Sequence, residues 1–126
     1  FFSDGLMKNH FKNLGFDIIH NDEDFFTNYD KYKYDIIIDN PPFSKRKLIF
    51  EKLKEIDKPF IIICLASIFH CKYFTNLFKK DLQLIIPNRR TRFHNIDTPN
   101  KSYTPPGGTI FYCYKMNLPK DIIWLK

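Results

Sequence analysis

Apolar residues fall along this chain in two rhythms, a helical spacing and short unbroken runs, and the two alternate. Met7, Phe11 and Leu14 recur at helical spacing, and Gly15 follows as a stop signal, which predicts a short amphipathic helix starting near Asp4. Phe16, Ile18 and Ile19 then predict a strand. The chain turns acidic at Asp22, Glu23 and Asp24 before the pair Phe25-Phe26, and a second strand is predicted over residues 34–39. Leu48, Ile49, Leu53 and Ile56 fall close to one helical face, with Lys and Glu opposite and Ser44 placed to cap the N-terminus. Residues 59–65 form an apolar run of strand length, the pattern of a strand buried on both faces. A helix over 68–79 and strands over 82–86 and 109–114 complete the reading. Such alternation implies an α/β fold with a mostly parallel, doubly wound sheet and helices on both faces. No internal repeat or domain boundary interrupts it, so one domain over 1–126 is expected.

Two segments break the rhythm. Residues 88–108 are rich in Arg, Asn, Thr, Pro and Gly without an apolar period, which reads as a long functional connection. Earlier, the isoleucine run at 36–38 stops abruptly at Asp39-Asn40-Pro41-Pro42-Phe43. Two consecutive prolines donate no ladder hydrogen bonds and hold φ near about −65°, so the strand must end there. The carbonyls of Asn40 and Pro41 are then turned toward something other than a neighbouring strand. In an open α/β sheet that position, beyond the carboxyl end of a strand, is where ligands bind.

Composition narrows the partners. The chain has 126 residues, 44% hydrophobic, enough for one core. Twenty Lys and Arg against fourteen Asp and Glu give a charge of +6, which favours a polyanionic partner such as nucleic acid. Lys45, Arg46 and Lys47 follow the proline pair, and Arg89, Arg90 and Arg92 stand beside Phe93 and His94, the mixture of cations and rings that nucleic-acid grooves use. Cys64, Cys71 and Cys113 are odd in number and lack Cys-x-x-Cys spacing, and His20, His70 and His94 lack metal-ligand spacing, so reduced thiols and no metal site are expected. The apolar run at 59–66 is far shorter than the ~20 residues of a membrane span and no leader precedes it. A soluble intracellular protein, cytoplasmic or nuclear, is the expectation.

Asn40-Pro41-Pro42-Phe43 resembles the Asn-Pro-Pro-(Tyr/Phe) motif of the S-adenosylmethionine-dependent amino-methyltransferases, which methylate the exocyclic N6 of adenine in DNA or RNA. The resemblance implies a Rossmann-like class I methyltransferase fold, S-adenosylmethionine as cofactor, and a nucleic-acid substrate. It implies that the Asn40 side-chain carbonyl and the Pro41 carbonyl grip the amine while Phe43 stacks on the base. Phe1-Phe2-Ser3-Asp4-Gly5 is similar to the end of the family's Phe-x-Gly-x-Gly motif, with Ser3 in place of the first glycine, and Gly5 would admit the methionine part of the cofactor. Asp22 or Glu23 would take the ribose and Asp24-Phe25 the adenine, a spacing shorter than the family's. Phe1 sits where a strand should end, so the fold is expected to be truncated at its N-terminal strand. Release-factor glutamine methyltransferases and N4-cytosine enzymes use similar acceptor motifs, and a non-catalytic nucleic-acid-binding remnant fits the same small size.

Overall fold

A computed structural model describes residues 5–95, 97–98 and 100–126. Helix α1, Leu6–Asn13, ends as its sequence dictates. Gly15 takes φ 91, which a Cβ would disfavour, and this lets Gly15 N–H bond Lys12 O and Phe16 N–H bond Phe11 O. The Phe11 and Phe16 rings then meet edge-on at 5.8 Å. No strand follows. Phe16 and Ile19 are exposed, and the chain runs as coil to the one-turn helix α2, Phe25–Asn28, capped by Asp24. The expected strand at 16–19 is absent, and no described strand pairs with this segment.

The sheet has five strands in the order β1, β2, β6, β3, β7. They are β1 Ile37–Asp39, β2 Phe60–Leu65, β3 Leu82–Ile86, β6 Thr109–Tyr114 and β7 Ile122–Trp124. β1 is parallel to β2 and β3 to β7, whereas β6 runs antiparallel between β2 and β3. The sheet is therefore mixed, with β6 alone reversed. β7 follows a polar turn, and its three residues are too few for a period to announce them.

Helix α3, Arg46–Ile56, connects β1 to β2, and α4, Lys72–Phe78, connects β2 to β3. Both connections step across the sheet in the same direction, so right-handed crossovers put both helices on one face. The core lies there: Ile49, Phe50 and Leu53 of α3 and Phe74 and Phe78 of α4 pack onto Phe60, Ile62, Cys64, Tyr112 and Tyr114. The expectation is of helices on both faces, and the two helices that join sheet strands both lie on this one. The opposite face carries Ile61, Ile85, Phe111 and Ile123, half-buried, around the buried Cys113. Leu48 also departs from expectation, because Phe50 rather than Leu48 points into the core. Ser44 does not cap α3; it lies inside a 3-10 turn, Phe43–Lys45, that leads into the helix. Among the described residues no helix is long and apolar enough to cross a membrane.

Burial pushes the Cys64 thiol from its ordinary 9.0 up to about 11, and that of Cys113 likewise. A raised folded value means that the contribution to stability is fully present below about pH 9 and is lost as pH rises through about 11. The urea midpoint is therefore expected to fall steeply between about pH 9 and about pH 11, and Cys113→Ala should flatten part of that fall.

Candidate functional site

The four co-directional strands end at one edge of the sheet, and there the chain builds a cleft of about 670 Å³. Asn40, Pro41, Pro42 and Phe43 form one wall, Asp22, Glu23, Asp24 and Phe25 a second, and Lys45, Phe93 and Tyr103 a third. The first two walls are the Asn-Pro-Pro-Phe motif and the acidic turn. In the third, Lys45 ends the turn that follows the motif, and Phe93 and Tyr103 come from the 88–108 connection, whose strands β4, Phe93–His94, and β5, Ser102–Tyr103, pair as a ribbon.

Local chemistry shapes the motif wall. Pro41 is buried and Asn40 is exposed, with its backbone N–H donating to Asp39 Oδ1 at 2.7 Å. Pro42 adopts φ −61 and ψ 123, and its carbonyl accepts from Lys45 N–H at 3.0 Å. Phe43 O accepts from the Arg46 guanidinium at 2.8 Å. The carbonyls of Pro42 and Phe43 are thus spent on the turn, and that of Pro41 lies one residue before it. Arg46 is half-buried and turned back onto the motif, unlike the exposed Lys45. The Phe43 ring meets Phe93 edge-on, 5.6 Å between centroids at 89°.

The acidic wall divides its labour. Asp24 Oδ2 accepts from Thr27 N–H at 3.1 Å and so caps α2. Glu23 accepts from Lys31 Nζ at 2.8 Å and from Tyr32 Oη at 3.1 Å, and the Lys31 bond is the largest influence holding its carboxyl below the usual range. Asp22 stands exposed at the lip and takes part in neither contact. Behind this wall a second hollow of about 420 Å³ runs along β1, sharing Glu23, Asp24 and Phe25 with the cleft. Gly5 takes φ 76 at the start of α1 but is not among the lining residues of either hollow. Ser3 and Asp4 lie outside the described residues.

Arg89, Arg90 and Arg92 are exposed on the segment leaving β3. The stem of Arg90 passes beside Gly108, whose carbonyl accepts from Ala66 N–H at 3.1 Å, so this basic segment sits at the same sheet edge as the cleft. Tyr103 was not legible as a site residue. Strands of two residues carry no readable alternation, and only an isolated aromatic among polar residues marked it.

No protein-family model matches the chain, and no curated protein matches it. Among solved structures it is similar to a crystal structure of an M1.HpyAVI-SAM complex, with 18% identity and a TM-score of 0.38. The match covers 71% of this chain and 48% of that one, so the chain spans about half the length of the structure it matches.

Proposed function

We propose that the chain is an S-adenosylmethionine-dependent methyltransferase with a Rossmann-like class I fold, acting on the exocyclic N6 amine of adenine in nucleic acid, DNA in preference to RNA. The observation that carries this reading is the single cleft that joins Asn40 to Phe43 with Asp22 to Phe25 at the carboxyl ends of the strands.

The adenine amine is a poor nucleophile because its lone pair is delocalised into the ring. In this reading Asn40 Oδ1 and Pro41 O accept its two hydrogens. Those bonds strengthen as positive charge develops on the nitrogen, so they favour the transition state over the ground state. Neither oxygen is a strong base, and the proton leaves the methylated nitrogen for water at the open mouth of the cleft. Phe43 supplies a ring face for the base, and Arg46 steadies the motif turn through Phe43 O. Lys45, Arg89, Arg90 and Arg92 remain the residues for phosphate contact.

The acidic wall fits the donor. An exposed carboxylate and an aromatic ring side by side match a ribose and an adenine, so Asp22 would take the ribose hydroxyls and Phe25 the adenine ring. When bound, the donor supplies a methyl group on a positively charged sulfur, open to attack along the carbon–sulfur axis. Glu23 and Asp24 keep the turn in place through Lys31, Tyr32 and Thr27. Calorimetric titration with S-adenosylmethionine is expected to give saturable binding, weakened about tenfold by Asp22→Asn or by Phe25→Ala. A titration without binding heat at any temperature would remove the donor from this cleft.

A further inference from the structure

The third wall holds more aromatic surface than one target base can use. Phe93 and Tyr103 stand directly opposite each other across the β4–β5 ribbon, so their side chains project from the same face, and both line the cleft. Phe93 is half-buried against the edge of Phe43. Tyr103 is 58% exposed, a large aromatic surface open to solvent at the rim. Cations flank both strands of the ribbon. Arg92 precedes Phe93, Lys101 precedes Ser102-Tyr103, and Lys45 lines the cleft beside them, with Arg89 and Arg90 exposed just upstream.

We infer that this ribbon is a stacking platform for single-stranded nucleic acid, and that the acceptor is an adenine in an unpaired stretch rather than in an intact duplex. The inference deepens the methyltransferase reading and rests on it for the identity of the target base. A base within a duplex already has both faces stacked and offers no ring to Tyr103. A duplex must be opened to present even one base, at a cost of a few kcal/mol, and that single flipped base occupies the Phe43 face. An unpaired strand presents successive faces without that cost. One base enters at Asn40 and Phe43, and a neighbour stacks on Tyr103 at the rim. Ring faces accept any base, so the platform grips by stacking and charge and leaves discrimination to the acceptor pair at Asn40 and Pro41. The exposed lysines and arginines around the ribbon take the phosphates, which makes the grip dependent on salt.

The test is fluorescence anisotropy with labelled oligonucleotides of about 15 nucleotides, the footprint range of such surfaces, and without methyl donor. The probes are one DNA strand, its duplex with the complement, and the RNA strand of the same sequence. The single strands are expected to bind at least about tenfold tighter than the duplex, and Tyr103→Ala to lower single-strand affinity about tenfold. Tyr103→Phe, which keeps the ring, should restore it. Arg92→Ala should weaken DNA and RNA strands alike and reduce the slope of affinity against salt by about 0.7. Tighter binding of the duplex, or a Tyr103→Ala protein that binds single strands like the wild type, would overturn the platform. The DNA and RNA arms decide which strand it takes. Binding is read without donor, so failure of methyl transfer in a separate assay with donor, alongside normal single-strand binding, would count against the catalytic reading and leave the platform standing.

Discussion

Replacing Asn40 with alanine should lower methyl transfer to adenine about 10²- to 10³-fold, the loss expected when one preorganised hydrogen-bond partner of a developing charge is removed. Asn40 is exposed, and its backbone N–H contact with Asp39 does not depend on its side chain. The fold should therefore survive, and donor binding should change by less than about twofold, since the donor is assigned to the opposite wall. Single-turnover kinetics with saturating donor and oligonucleotide separates the chemical step from binding. A variant that transfers methyl groups at the wild-type rate would take Asn40 out of the reaction. Asn40→Asp is a sharper comparison, because a carboxylate keeps an acceptor but adds charge beside the cationic donor. Its rate should lie between those of the wild type and alanine proteins, with donor affinity raised.

The largest effect on stability is expected at Phe50. Its ring is fully buried and meets Phe74 at 5.1 Å, Tyr112 at 5.8 Å, Phe78 at 5.9 Å and Phe60 at 6.1 Å, joining α3, α4, β2 and β6 at one point. Phe50→Ala should cost about 3–5 kcal/mol through lost transfer energy and a cavity that rigid aromatic neighbours cannot close. A domain of this kind is stable by only about 5–15 kcal/mol, so the variant would be at or near unfolding at body temperature. Leu48→Ala, two residues away on the exposed side of the same helix, should shift stability by no more than about 0.5 kcal/mol. Urea denaturation of both variants checks the pair. Comparable losses at the two positions would contradict the assignment of the buried face.

That pair also marks what the sequence makes legible. The runs at 60–65, 82–86 and 109–114 are long enough to announce strands, and the structure places β2, β3 and β6 there. Direction is a different matter. Thr109–Tyr114 looks like any buried strand, and its reversal between β2 and β3 follows from the return path of the 88–108 connection, which no periodicity encodes. Leu48 and Phe50 sit two positions apart on a helix, where spacing alone permits either to face inward. The strand expected at Phe16 to Ile19 had the right composition and lacked a partner, which is a tertiary fact. At the site, Asn40-Pro41-Pro42-Phe43 was readable because two prolines force a strand to stop. The approach of Asp22 to Phe25 toward it, and the arrival of Phe93 and Tyr103, depend on how two loops fold over one sheet edge. The place of Arg46 in the first turn of α3 brings its guanidinium onto Phe43 O, a contact that its charge alone does not announce.

In the proposed reaction this cleft methylates the exocyclic nitrogen of adenine. Mass spectrometry of nucleosides digested from single-stranded and duplex oligonucleotides, after incubation with methyl-labelled S-adenosylmethionine, tests it most directly. The expected product is labelled N6-methyladenosine or its deoxy form, more abundant from the single strand and nearly absent with Asn40→Ala. Labelled N4-methylcytosine in its place, or no labelled nucleoside from a protein that binds both donor and strand, would contradict it.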